Sequence, residues 1–410
     1  MKRVLIVAYF FPPISNMGSH RILRFVRHLR KFGWEPVVMT GPAEGWPQTD
    51  PALLEEVPTD LEIHRVKGLD LTALWRKTSG GNGGGPARSR GVTTFLNRWA
   101  MIPDKFFPWI GSATHAGCAL KNISAIYSTS DPLSDHLVAR RISQSTGIPY
   151  VAEFRDLWLG NPYFARAHPT PFHRACHARL ERRVVTGAAA IVGLSRGIAD
   201  YFEAHYTTPV RVIYNSFEPE DYPGNSQSSG KFSVLYAGAV YSSRSPVPFF
   251  AGFERFVKER GLTPAQAEIV WLGESPDLDL RQMAEQCGVA SYVHFAGRVG
   301  HATALKRMRK ASVLLTIQSP ADNIHVPGKL FEYIGAGRPI LALAQPCEVA
   351  ELVQRHELGW VCAAQPAAVA GMLNRIFSAP ARPNRKNIEQ FSAAGTTKAL
   401  ANLLEQVTTG

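Results

Sequence analysis

The sequence predicts an α/β protein of two domains, each a parallel sheet wrapped by helices. Three observations carry that expectation. Short apolar runs alternate with longer amphipathic ones, the pattern of strands joined by crossover helices. At 410 residues the chain exceeds what one hydrophobic core ordinarily serves. A stretch rich in Pro, Gly, Ser and Asn, residues 218–230, parts the alternation into two series and reads as a linker.

In the first series, strands are expected at 4–8, 35–40, 125–128, 150–154 and 190–194. The apolar run at 4–8 follows Lys2 and Arg3 and resembles a short leader, but it ends in Pro12-Pro13 without a small-residue cleavage site and reads as a buried strand. Between the first two strands, Ile22, Leu23, Phe25, Val26 and Leu29 interleave with Arg21, Arg24, Arg27, Arg30 and Lys31, predicting an amphipathic helix with a basic exposed side. The run from Ser79 to Pro86 is glycine-rich and has nothing to bury. The second series places strands at 232–237, 268–272, 292–295, 313–316, 339–343 and 359–361, and residues 387–407 read as a terminal helix. The expected organisation is therefore a domain over 1–217, a linker over 218–230, a domain over 231–386 and a closing helical segment over 387–410. Ligands in such sheets sit at the carboxyl ends of the strands, and no tandem repeat at solenoid spacing is found.

Composition narrows the function. Hydrophobic residues make up 45% and charged residues 19%, a globular balance, and no apolar run is long enough to span a bilayer. The five cysteines (Cys118, Cys176, Cys287, Cys347, Cys362) are scattered, which speaks against a disulfide framework or a structural zinc site and for a cytoplasmic protein. The net charge of +12 is uneven. Residues 1–215 hold 26 basic against 16 acidic side chains (+10) and residues 216–410 hold 19 against 17 (+2). A basic first half points to an anionic partner, such as nucleic acid, a lipid surface or a phosphate-bearing substrate. No zinc knuckle, aromatic RNA-binding signature or basic repeat favours nucleic acid.

The most informative stretch is Val326-Pro327-Gly328-Lys329-Leu330-Phe331-Glu332-Tyr333-Ile334-Gly335-Ala336-Gly337, followed by the apolar run from Pro339. It predicts a helix opening near Pro327 and closing at Gly337. Lys329 can neutralise an anion at the helix N-terminus, where unpaired N–H groups and the dipole already favour phosphate. Glu332, one turn on and on the same face, can accept hydrogen bonds from paired sugar hydroxyls. Phosphate plus ribose suggests a nucleotide. An ordinary capped amphipathic helix with one surface ion pair fits the same spacing.

Further motifs, taken in order, resemble those of the retaining, nucleotide-sugar-dependent glycosyltransferases of the GT-B group usually called family 4, over nearly the whole chain. Tyr9-Phe10-Phe11-Pro12-Pro13 followed by Gly18 looks like the family's first loop, where a glycine approaches the donor pyrophosphate. Glu153-Phe154-Arg155-Asp156-Leu157-Trp158 is similar to a stretch of its polysaccharide-building branch, and Ile213-Tyr214-Asn215 to its Ile-Pro-Asn segment. Tyr236-Ala237-Gly238 with Arg244 looks like the phosphate loop and its cation, and Phe295-Ala296-Gly297-Arg298-Val299 like the loop that meets the nucleobase.

The resemblance implies two Rossmann-like domains facing a cleft, with the last helix returning to the first domain. It implies donor contacts from Gly18, Gly238, Arg244, Arg298, Val299, Pro327, Gly328, Lys329, Leu330 and Glu332. Catalytic roles fall to Arg244 and Lys329 on the leaving phosphate, with Glu153 and Asp156 as candidates for orienting the acceptor. Arg155, Asn16 and Arg21 would lie on the acceptor side. The expected partners are a nucleoside-diphosphate sugar and a glycan or lipid-linked acceptor of lipopolysaccharide or exopolysaccharide type, with no cofactor and no metal.

Three positions depart from the family pattern: Ile324 stands where the first of two paired glutamates is usual, Ala239 where an arginine often follows the phosphate-loop glycine, and Arg155 where a histidine is common. Asp322 and Asn323 lie near the missing glutamate but out of register. A non-catalytic sugar-nucleotide-binding relative, or an epimerase on the same scaffold, is the alternative those changes leave open.

The chemistry itself asks for preorganised cations and N–H donors on a departing diphosphate. Asp277-Leu278-Asp279 fits an Asp-x-Asp metal pattern but reads as an exposed loop. Gly193-Leu194-Ser195-Arg196-Gly197 fits the nucleophile pattern of serine hydrolases, although Ser195 also suits a helix N-cap. His173, Cys176 and His177 share a helical face without a third-ligand motif. Peripheral docking on an anionic membrane would use Arg21, Arg24, Arg27 and Arg30, with Trp99, Phe106, Phe107 and Trp109 as interfacial or core aromatics.

Overall fold

A computed structural model describes residues 1–44, 46, 49–68, 102–161, 170–224, 230–241, 244–275, 277–319, 324–380 and 383–409. The glycine-rich run from Ser79 to Pro86, Trp99, Asp322 and Asn323 lie outside them. The chain divides into two compact units, Met1–Tyr214 with Thr396–Gly410, and Asn215–Gly395.

The first unit is built on a sheet in the order β3-β2-β1-β4-β5-β6-β7, with every described pairing parallel. Its strands are β1 (Lys2–Val7), β2 (Trp34–Thr40), β3 (Glu62–Arg65), β4 (Ala125–Thr129), β5 (Tyr150–Phe154), β6 (Ala190–Gly193) and β7 (Val210–Val212). The central strands are apolar on both faces because helices cover both sides. Those helices are α1 (Met17–His28), α2 (Trp109–Ala119), α3 (Ser134–Thr146), α4 (Pro171–Gly187) and α5 (Arg196–His205). α1 starts where the Asn16 side chain accepts the Ser19 N–H, and it buries Ile22, Leu23, Phe25 and Val26 against β1 and β4.

The terminal helix α12 (Ala393–Thr409) contributes Leu400, Ala401, Leu403 and Leu404 to the same core. It begins at Ala393 rather than near 387, because Ile388–Phe391 forms a separate 3-10 turn held by Phe217, whose N–H donates to the Phe391 carbonyl.

The second unit repeats the scheme with β10-β9-β8-β11-β12-β13, again parallel. These strands are β8 (Phe232–Ala237), β9 (Ala267–Leu272), β10 (Val293–Gly297), β11 (Val313–Ile317), β12 (Ile340–Leu343) and β13 (Gly359–Cys362). The helices are α6 (Val247–Arg260), α7 (Leu280–Gln286), α8 (His301–Lys310), α9 (Gly328–Ala336), α10 (Glu348–Arg355) and α11 (Pro366–Ser378). Phe249, Phe253 and Phe256 of α6 pack with Val369 and Leu373 of α11 over the sheet.

One buried ion pair corrects the reading of α1. Arg21, predicted on an exposed basic face, is 2% exposed, and Glu153 at the end of β5 is 0% exposed. Arg21 donates from Nε and Nη2 to Glu153 Oε2 at 2.8 and 2.6 Å, and from Nη1 and Nη2 to the carbonyls of Tyr214 and Ile213 at 2.6 and 2.8 Å. Thr129 Oγ1 donates to the other carboxylate oxygen at 2.8 Å. The pair ties α1 to β4, β5 and the segment after β7. Glu153→Ala leaves a buried guanidinium without its counter-ion and should cost about 3–5 kcal/mol of stability. A combined Arg21→Met, Glu153→Leu variant should recover much of that loss in urea denaturation. Equal stability of wild type and Glu153→Ala would contradict the account.

Candidate nucleotide site and the first-unit loops

The carboxyl ends of β8, β9 and β10 form one side of a cavity of about 500 Å³ in the second unit. Gly238, Ala239, Gly273, Ser275, Arg298, Val299, Ala304 and Lys329 are among its lining residues. Of the sequence-derived donor residues, the fold thus brings Gly238, Arg298, Val299 and Lys329 together. The loops meet so closely that one glycine is obligatory. Gly273 has φ +119°, and a Cβ there would stand 2.3 Å from the Gly238 carbonyl oxygen.

α9 is aimed at this cavity by Tyr333. Its hydroxyl accepts the Ala237 N–H at 2.8 Å and donates to the Leu315 carbonyl at 3.2 Å, fixing the helix to β8 and β11 at once. Pro327 precedes the first turn, and its carbonyl accepts the Leu330 N–H at 3.0 Å. The N–H groups of the opening residues, Gly328 and Lys329, have no acceptor within the helix. Leu330, expected as a donor contact, is 1% exposed, so its side chain belongs to the core.

Glu332 is 6% exposed yet ionised. Burial alone would push its carboxyl up, but His301 and Lys329 outweigh burial and hold it down at about 2. Lys329 Nζ lies 2.8 Å from one carboxylate oxygen and His301 Nε2 lies 3.5 Å from the other. The sequence reading missed His301; its one local signal is its place directly after Arg298-Val299-Gly300, at the start of a helix. Arg244 is in the loop after β8, where its N–H donates to the Tyr241 carbonyl at 2.8 Å and its charge acts on Tyr236, but it is not among the residues that line this cavity.

In the first unit the acceptor-side residues separate into two groups. Asn16 caps α1 through its side-chain oxygen and is half-buried, while Arg21 and Glu153 are locked in their buried pair, so neither of those two presents a free polar group to a substrate. Arg155 and Asp156, at the end of β5, are half-buried and exposed respectively. Arg155 donates to the carbonyls of Ser130 and Asp131. Gly18 is the glycine that its guanidinium requires, since a Cβ there would lie 2.6 Å from Nη1. Burial pushes the carboxyls of the neighbouring Asp131, Asp135 and Asp104 up.

Two cations of the expected basic face are paired: Arg27 on α1 with Glu56, and Arg30, in the 3-10 turn Leu29–Phe32 that follows, with Glu35 and Asp60. Arg174, Arg179, Arg182 and Arg183 on α4 are exposed instead, with no ion pair among the described residues. Exposed Phe172 stands at the start of the same helix. Trp109 is core, its indole N–H donating to the Val66 carbonyl at 3.0 Å, while Phe106 and Phe107 are half-buried.

The other motifs resolve structurally. Ser195 is 1% exposed and caps α5 by accepting the Ile198 N–H. His173 and His177 are buried; His177 Nδ1 accepts the Trp158 indole N–H at 2.9 Å. Asp279 caps α7. Among the described residues no helix is long and apolar enough to cross a membrane.

Comparison with known proteins gives this geometry a family. Residues 18–216 match the model of the glycosyl transferase 4-like domain, and residues 231–379 match that of glycosyl transferases group 1. No curated protein sequence matches the chain. Among solved structures, Anabaena HepE in complex with UDP and glucose is similar at 13% identity and a TM-score of 0.57, covering 100% of this chain and 98% of that one. Sucrose-phosphate synthase from Thermosynechococcus elongatus is similar at 15% identity and a TM-score of 0.61, covering 100% of both. WaaG, a glycosyltransferase involved in lipopolysaccharide biosynthesis, is similar at 15% identity and a TM-score of 0.56, covering 99% of this chain and 98% of that one. At these identities the structures speak for the shared fold. The two domain matches supply the activity: the chain is a glycosyltransferase of the GT-B fold, with a glycosyl transferase 4-like domain followed by a group 1 domain.

Proposed function

We propose that the protein is a retaining glycosyltransferase that moves one sugar from a nucleoside-diphosphate sugar to a growing cell-surface polysaccharide or lipid-linked glycan. The observation that carries the donor half of this reading is the Lys329–Glu332 pair at the start of α9, beside the cavity lined by Gly238, Arg298 and Val299. A diphosphate at that helix N-terminus would meet Lys329 and the N–H groups of Gly328 and Lys329, with Pro327 shaping the start of the turn. Glu332 would accept the ribose hydroxyls, and Arg298 and Val299 would flank the base. Breaking the anomeric C–O bond leaves negative charge on the departing phosphate, and fixed positive groups lower that barrier most. Lys329 is assigned that role; Arg244, expected as a second cation, does not line the cavity and is left without it. In a retaining transfer the leaving phosphate itself can take the acceptor's proton, so the reading needs no dedicated protein base and no metal. UDP and glucose in the HepE structure, and the involvement of WaaG in lipopolysaccharide biosynthesis, support this choice of donor and acceptor class.

On the first unit we assign acceptor contacts to Arg155 and Asp156, which keep surface exposure side by side at the end of β5. We assign peripheral contact with an anionic membrane to α4 in place of α1, since its four arginines have no acidic partners among the described residues and Phe172 is 61% exposed. Juxtamembrane basic residues contribute about 1 kcal/mol each on such surfaces.

Two measurements test these assignments. A thermal-shift panel of UDP-, GDP-, dTDP- and ADP-sugars should show stabilisation by one nucleotide class, lost in Lys329→Ala and Glu332→Ala; no shift in the folded wild type would count against the donor site. In vesicle sedimentation with phosphatidylglycerol, charge reversal at Arg174, Arg179, Arg182 and Arg183 should abolish binding, while Arg27→Glu leaves it intact. Retained binding by the fourfold variant would remove the α4 assignment.

A further inference from the structure

We propose that His301 is a positioning residue for Glu332 and thereby sets how strongly the site discriminates ribose from deoxyribose. The proposal rests on the reading of Glu332 as the ribose acceptor. It starts from an asymmetry in the carboxylate's partners. Lys329 Nζ is 2.8 Å from Oε2 and comes from the same helix, three residues back. His301 Nε2 is 3.5 Å from Oε1 and comes from a different helix, α8.

Lys329 cannot serve both anions at full strength. Its side chain is 33% exposed and lines the cavity, so an arriving diphosphate competes with Glu332 for the ammonium group. Glu332 then loses charge pairing at the moment it must hold two hydroxyls in a fixed plane. A buried carboxylate without a partner is expensive and would reorient or take up a proton.

His301 is placed to prevent that. α8 is anchored by buried Ala304, Leu305 and Met308, and Ala304 also lines the cavity. The helix that carries the imidazole is thus held by core packing that nucleotide binding need not disturb, although the His301 side chain is itself 35% exposed. It would keep Oε1 in place while Oε2 turns from Lys329 to the sugar. Because His301 follows Arg298 and Val299 by three and two residues, the loop assigned to the base and the acid assigned to the ribose share one rigid support.

The test is calorimetric titration of the full-length protein with UDP, GDP and ADP and with the 2′-deoxy form of each, for wild type, His301→Ala, His301→Gln and Glu332→Gln. Gln offers an N–H near the position of Nε2 and is the conservative replacement. For the base that binds, wild type should prefer the ribose form by about tenfold or more, as a site built around a substrate hydroxyl does. His301→Ala should lose most of that preference and His301→Gln should regain it, with binding of the 2′-deoxy form changed much less in either. Wild-type discrimination in a folded His301→Ala, or its loss equally in His301→Gln, would overturn the inference. Absence of binding of UDP, GDP and ADP alike by wild type, or undiminished discrimination in Glu332→Gln, would instead refute the nucleotide reading on which it stands.

Discussion

The Tyr333 hydroxyl sits where two strands and a helix meet, and the second unit's chemistry depends on it. A phenol buried among apolar side chains must find partners for its polar end, and this one finds a donor in Ala237 and an acceptor in Leu315. Those two contacts fix the height and rotation of α9 against the carboxyl ends of β8 and β11. Lys329 lies four residues before Tyr333 and Glu332 immediately before it, so the position of both charges follows from this anchor. The site is therefore placed by a core interaction rather than by its own loops. That suits a reaction in which an ångström of misplacement is costly.

Two buried glutamates show how one residue type serves opposite ends. Glu153 has Arg21 on one oxygen and Thr129 on the other, and Arg21 is in turn saturated by two backbone carbonyls. That network is closed on itself, and it acts as a rivet for the first unit. Glu332 has a lysine and a histidine, and the lysine is a third exposed. Its partners are of a kind that a ligand can compete for. Burial depth alone does not separate the two acids; the exchangeability of their partners does.

This distinction also explains what could be read from the chain in advance. The central strands and α9 were legible because their periodicity and end signals are local. β3 and β7 were not, since Glu62-Ile63-His64-Arg65 and Val210-Arg211-Val212 carry too few apolar residues to register as strands and form only because a neighbour offers an edge. The role of Arg21 was misread for a related reason. Spacing along α1 groups it with Arg24, Arg27 and Arg30, whereas its burial is decided by a carboxylate 132 residues away. Lys329 and Glu332 could be paired from sequence because they sit one helical turn apart. His301 lies 31 positions before Glu332 on another helix, and no local pattern relates them.

The uneven charge of the two halves takes on a different meaning once pairing is known. A count of arginines treats α1 and α4 alike, yet the field a surface presents depends on which cations lack a nearby acid. On α1 and the turn after it, Arg21, Arg27 and Arg30 are paired within the unit, by Glu153, Glu56, Glu35 and Asp60. On α4 the one acid, Glu181, faces inward, where it accepts from Tyr201, Tyr206 and the Leu159 N–H, leaving the outward arginines uncompensated among the described residues. The attraction that α4 offers an anionic surface is therefore not cancelled by its own acid, and salt should weaken it more than it weakens the buried pair of α1, because only the exposed charges are fully screened.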